Sequence, residues 1–160
     1  MQVVRVIDRV FEVDGKLKVG EVVKAGDCLA VVVSVSGEEP EYVKYAGELS
    51  REEVEAFMPD FVERKVVSKC YVLRGMGESF SPDVGDVVRE ASDEEIREFH
   101  TRSGEFRIPY FYQLLKIDID VAKSVLLRLK KVFEGDDVAN REIIDILLRE
   151  IDYMLMHGRA

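Results

Sequence analysis

The sequence predicts an α+β protein: a small antiparallel β-barrel with short capping helices, followed by a C-terminal antiparallel helical hairpin. Three observations carry this. Residues 2–36 alternate apolar and polar side chains between turn signals, which is the period of half-buried strands. Short capped helices then interrupt a strand-rich region. From residue 118 onward the apolar period changes to 3.6 and keeps that value almost to the end. The expected division is a barrel over residues 1–112 and a helical hairpin over residues 113–160.

Each element has a local reason. "QVVRVID" alternates, "VDGK" offers an Asp14–Gly15 turn of the kind hairpins favour, and "KLKVGEVV" alternates again. "KAGD" supplies the next turn, and "CLAVVVSVS" holds a stretch apolar on both faces, as in a strand covered from two sides. "SREEVEAFM" reads as a helix with Ser50 as N-cap, Glu53 as its capping partner and Pro59 as a stop. "SDEEIREFH" follows the same recipe with Ser92 and Glu95, and places Ile96, Phe99 and His100 on one face. Between these helices "RKVVSKCYVLRG" is a strand. "GDVV" is another, reached through the turn in "PDVGD". "VGEVVKA" at residues 19–25 is echoed by "VGDVVREA" at residues 84–91; the capped helices do not share that offset, so this is recurring barrel chemistry and not a tandem repeat. "FRIPYFYQLLK" begins as a strand and hands over to helix. Ala122, Val125, Leu126, Leu129 and Phe133 then form a stripe that Gly135 ends with a left-handed cap. A second stripe runs through Ile144, Leu147, Leu148, Ile151 and Leu155.

Composition narrows the functional classes. Of 160 residues, 47% are apolar and 34% charged, and the net charge is −9. Residues 1–112 hold 15 basic and 23 acidic side chains, so −8 of the −9 lies there. Such a surface repels phosphate backbones, and strong nucleic-acid binding is not expected. Trp is absent, and Gln2, Gln113 and Asn140 are the only carboxamides, a composition that suits a thermophile. No apolar run is long enough to span a membrane and the first residues lack the apolar block of a signal peptide, so a cytoplasmic location is expected. Cys28 and Cys70 sit in apolar runs and read as reduced core thiols. With no CxxC, no HxxxH and two distant histidines, His100 and His157, neither a metal nor a cofactor is expected.

The stretch "VLRGMGESFSPDVGDVV", residues 72–88, places Gly75 and Gly77 as a phosphate-cradling loop would. Such a loop needs a helix behind it and a lysine to reach the phosphates. Here no lysine follows, Pro82 removes an N–H, and the next element is a strand. The turn in "VVKAGDCLAVVVSVS" resembles that of biotinyl and lipoyl carrier domains, but Val33 to Ser36 stand where the carrier lysine belongs. Catalysis at Ser79, Ser81 or Cys70 would need a base, and His100 reads instead as a helix-end residue interacting with the dipole or closing a core edge. Phe106, Tyr110, Phe111 and Tyr112, with Arg102, Arg107 and Lys116, are the best nucleic-acid platform; the simpler reading is rings filling the seam between barrel and hairpin.

The order of parts resembles the HAS-barrel, the N-terminal domain of archaeal HerA-type DNA translocases and of ATP-synthase-type subunits. The residues that carry the likeness are "VGEVVKAGDCLAVVV", the glycine-rich crossing and "SPDVGDVVREASDEEIREF", with turns at Gly26–Asp27 and at Pro82–Asp83–Val84–Gly85. The family prefers a tighter Pro-Gly at the second turn. The likeness covers about residues 1–110. It implies a barrel for ring assembly and partner docking, without chemistry, and here without the ATPase core that follows it in the family. The expected function is a non-catalytic interaction or assembly module, a protein partner included, associated with DNA-processing machinery. The alternative is a small enzyme or ligand-binding protein with a pocket at the barrel mouth, lined by Gly75, Met76, Gly77, Ser79, Ser81, Tyr110 and Tyr112. Leu127, Val132, Ile143, Ile146 and Met154 broaden the helical stripes beyond what one partner needs, so self-association into a dimer through the hairpin is expected.

Overall fold

The alternating N-terminal run folds into two strands. β1 (Val3–Ile7) and β2 (Val10–Asp14) pair antiparallel with Ile7 opposite Val10, so the hairpin turn is Asp8–Arg9. Asp8 takes a left-handed φ of 52°, which aspartate tolerates better than most residues. The hairpin expected at Asp14–Gly15 therefore does not form: β2 turns its other edge to β5 (Lys65–Val72), and Gly15 N–H continues that pairing by donating to Val66 O at 2.9 Å. Residues 16–21 form no strand. Buried Ser68 holds them instead, its hydroxyl donating to Gly15 O at 2.7 Å and accepting from Leu17 N–H at 2.9 Å. The structure, a computed structural model, describes residues 1–38 and 65–158. The helix expected from Ser50 to Met58 lies outside them.

β3 (Val22–Ala25), the Gly26–Asp27 turn and β4 (Cys28–Glu38) follow as the sequence reads, and β6 (Val88–Glu90) completes a six-stranded antiparallel sheet in the order β1-β2-β5-β4-β3-β6. The sheet curls into a half-barrel. At one end its outer strands approach each other: Gln2 bridges Val87, and Val3 N–H donates to Asp86 O at 2.9 Å. The echoed segments turn out to be partners. β3 and β6 pair with Lys24 opposite Arg89, and each follows a glycine at positive φ, Gly20 at 88° and Gly85 at 95°.

The continuous apolar run of β4 separates two cores. Cys28, Ala30 and Val32 face inward with Val3, Phe11, Val13, Val23, Cys70, Val72 and Val88, one or more from every strand. Leu29 and Val31 face outward into a second core shared with the helices, where Ile96, Tyr110, Leu126, Ile144 and Ile151 are buried. Both cysteines are free thiols. Burial raises the pKa of each, that of Cys70 to about 12, as the core reading requires.

Among the described residues four helices cover the outer face. α1 (Asp93–Thr101) starts at Ser92, whose hydroxyl accepts from Glu95 N–H at 3.2 Å. The strand expected at the start of "FRIPYFYQLLK" is absent. Arg107 N–H donates back to His100 O, and Phe111 N–H to Ile108 O, so this backbone finds its partners locally and not on a sheet edge. α2 (Phe111–Ile117) follows, and the division expected at 112/113 falls inside it. Asp118 ends α2 and caps α3 (Ile119–Val132), its carboxylate accepting from Asp120 and Val121 N–H. Phe133 closes α3 by donating its N–H to Leu129 O; Gly135 is not among the left-handed glycines, so the expected cap at that residue is not used. α4 (Val138–His157) packs on α3 with ion pairs Lys123–Asp152 at 2.8 Å and Lys130–Asp145 at 3.1 Å.

Gly20, in the turn before β3, lies tight against α3. A Cβ there would lie 2.9 Å from Ser124 Cβ on α3, at a φ that side chains rarely adopt. Gly20→Ala is expected to cost about 2 kcal/mol of unfolding free energy, whereas Gly37→Ala, which meets open space, should change it by less than about 0.5 kcal/mol. Urea unfolding of both variants decides the matter. Equal, small effects would mean that the turn relaxes freely.

Candidate interaction surface

The glycine-rich crossing is tied down by its own chain. Arg74 leaves β5 almost fully buried; its guanidinium donates to Phe80 O at 2.5 Å and ion-pairs with Asp8 in the β1–β2 turn. Arg9 donates to Gly75 O at 3.3 Å and to the Tyr71 hydroxyl at 3.0 Å. Gly75 N–H, which a phosphate would have to claim, already donates to Glu78 Oε2 at 2.8 Å, and Glu78 Oε1 takes Arg102 at 2.6 Å. Gly75 is buried, while Met76, Gly77, Ser79 and Ser81 are exposed. Of the two tyrosines expected to line a pocket with them, Tyr110 is fully buried and Tyr112 is 70% exposed.

Tyr110 belongs to an aromatic cluster at the join of α1, α2 and α3. Its hydroxyl lies 2.5 Å from His100 Nε2, while His100 Nδ1 lies 2.7 Å from Ile96 O. A carbonyl only accepts, so Nδ1 carries the hydrogen and Nε2 accepts from the tyrosine. Burial above all, with the positive charge of Arg102 adding, lowers the histidine pKa to about 4 against the opposing pull of the Ile96 carbonyl. Burial likewise raises that of the Tyr110 hydroxyl. His100 is thus neutral and cannot serve the helix dipole as a cation; it closes a core edge. Phe106 packs edge-on against Phe133 at 4.9 Å, and Arg97 lies 4.9 Å above the Phe133 ring. Of the four rings considered as a nucleic-acid platform, only Tyr112 is exposed. Arg102 stacks on Phe99 at 4.6 Å besides pairing with Glu78, Arg107 pairs with Glu105 at 3.4 Å, and Lys116 is exposed on α2. The buried rings of the cluster fill a seam, and Tyr112 is left to solvent.

The remaining feature is the outward side of α4. The helix buries Ile144 and Ile151 and half-buries Leu147, Leu148 and Leu155 against the outer core. On the opposite side Ile143, Ile146 and Tyr153 are exposed by 42%, 52% and 67%, with half-buried Met154 beside them. Ile146, Arg149, Glu150, Tyr153 and Met154 line one shallow groove there. Of the five residues expected to self-associate, Ile143, Ile146 and Met154 lie here. Val132 does not: it faces inward and is only 5% exposed, because α3 is covered on that side by the outer core. Leu127 is exposed but lies on α3, in a groove beside Lys123 and Leu148. Tyr153, Glu142 and Arg149 were not singled out in the sequence, although the recurrence of 143, 146, 150 and 153 at alternating steps of three and four was legible.

No protein-family model matches the sequence, and no curated protein matches it significantly. Among the described residues no group of three or more His, Cys, Asp or Glu side chains could hold a metal ion, and no helix is long and apolar enough to cross a membrane.

Proposed function

We propose that this chain is a non-catalytic interaction and assembly module of the HAS-barrel kind. In this reading the curled sheet is the barrel, α3 and α4 are its helical hairpin, and self-association runs through the outward side of α4. The single observation that carries it is that apolar side. Exposed aliphatic and aromatic side chains on a helix already well packed on its other side are what docking surfaces look like. The HAS-barrel assignment rests on the two similar turns and the order of segments along the sequence, and the setting in DNA-processing machinery rests on that assignment alone.

The test pairs a mass measurement with a ligand screen. The mass is expected to rise with concentration towards that of a dimer, while millimolar ATP, GTP and common metabolites leave Tm unchanged. A specific ligand at about 100 times its Kd adds roughly 2.7 kcal/mol, several degrees for a chain of this size. Such a shift, abolished by Gly75→Val or Gly77→Val, would restore the alternative of a ligand-binding protein or small enzyme.

A further inference from the structure

We propose that two copies of this chain pair through α4 in one register, an antiparallel seam that sets Ile143 of each copy against Ile146 of the other and Glu142 beside Arg149. This rests on the self-association reading above and specifies its geometry.

Ala139, Ile143, Ile146, Glu150 and Tyr153 recur at alternating steps of four and three, the pattern of a helix that packs along one line on another helix. The line is distinct from the one facing the core, which runs through Ile144, Leu148, Ile151 and Leu155. The charges select the partner. Glu142 and Arg149 flank the line on the same side, two turns apart, and neither is ion-paired among the described residues, whereas Asp145 and Asp152 on the inner side are taken by Lys130 and Lys123. One helix therefore carries both halves of an ion pair at its rim, so a second copy turned end for end complements it twice.

Register follows from the same residues. A two-fold axis crossing α4 at the level of Asp145 brings each Glu142 to the other copy's Arg149. The same axis puts isoleucine against isoleucine and sets the Tyr153 ring over the small Ala139. An axis four residues further on, at the level of Arg149, would instead oppose the two Arg149 side chains, and like charges at an interface penalise that register. The seam is short. A helix pair of this length buries less than the roughly 800 Å² per partner of a standard interface, so dissociation in the micromolar range is expected.

Analytical ultracentrifugation of the full chain tests this with five proteins: wild type, Ile146→Glu, Glu142→Arg, Arg149→Glu, and the double variant Glu142→Arg/Arg149→Glu. All changes are at exposed positions, and circular dichroism checks that each variant is folded. Wild type should dimerise and Ile146→Glu should be monomeric. Each single charge reversal should weaken the dimer about tenfold or more, since it replaces two attractive rim pairs by two repulsive ones, and the double variant should recover most of the loss. A monomeric wild type overturns both the seam and the self-association reading. A dimer that survives Ile146→Glu overturns the seam and leaves self-association standing on another surface. Single reversals without effect, or a double variant no better than they are, overturn the register.

Discussion

Truncating Phe133 to alanine is expected to remove about 3–5 kcal/mol of unfolding free energy and to lower Tm by on the order of 10 °C. The ring is fully buried where three helices meet. It packs edge-on against Phe106, approaches His100 at 6.5 Å and lies under the Arg97 guanidinium. Arg97 in turn donates to Val132 O at 2.6 Å and pairs with Asp136 at 2.5 Å, which pins the end of α3 to α1. Alanine would leave a cavity bordered by aromatic rings that have no room to collapse, and would leave the cation without its aromatic face. Phe133→Leu keeps most of the volume and should cost about 1–2 kcal/mol. Guanidinium unfolding of both variants is the measurement. A loss below 1 kcal/mol for the alanine variant would mean that this seam is not packed as described.

That seam was partly visible in the sequence, and the reason is instructive. Phe106, Tyr110, Phe111 and Tyr112 stood out as aromatic side chains near the strand-to-helix change, so filling a junction was a natural reading, while Phe133 stood out only as the end of a helical stripe. Which ring met which depended on the chain path between residues 101 and 111, and the sequence favoured a strand there. β propensity in "FRIPYF" measures how well side chains suit a sheet surface, but the backbone bonds of this segment form locally instead. The first hairpin went astray for a related reason. Asp14–Gly15 is the stronger turn signal by residue type, yet Asp8 can also adopt positive φ, and the earlier turn lets both strands keep Val3, Phe11 and Val13 in the inner core. Helical period was the more dependable guide: α3 and α4 start and end within a few residues of their expected bounds. It misplaced Val132, because a stripe's width does not say how far around the helix its cover extends. The Arg74–Asp8 tie was invisible, since nothing local to residue 8 or residue 74 announces the other.

Acidification should separate the buried histidine from every other group with a shifted pKa. His100 titrates near 6.5 when unfolded and at about 4 when folded. The unfolded chain therefore binds the extra proton first as pH falls, so stability is intact above 6.5 and declines from there towards 4. The decline amounts to about 2 kcal/mol by pH 5 and about 3 kcal/mol in all. Glu95 acts lower down. Its hydrogen bond with Arg89, aided by Lys24 and Ser92, holds its pKa at about 2, so its contribution is complete above 4.5 and is lost only below that. The interval from pH 7 to 5 thus reports His100. Tyr110→Phe would strip Nε2 of its donor, and His100→Leu would strip the tyrosine hydroxyl of its acceptor; each should cost roughly 1–3 kcal/mol at pH 7. Making both changes leaves no unpaired polar group, so the double variant should lose less than the two single losses combined and should show a flat stability profile between pH 7 and 5. Urea unfolding of the four proteins at pH 7, 6 and 5 measures both quantities. If the slope persists after His100→Leu, the acid sensitivity belongs to another group, and the neutral His100–Tyr110 pair is not its source.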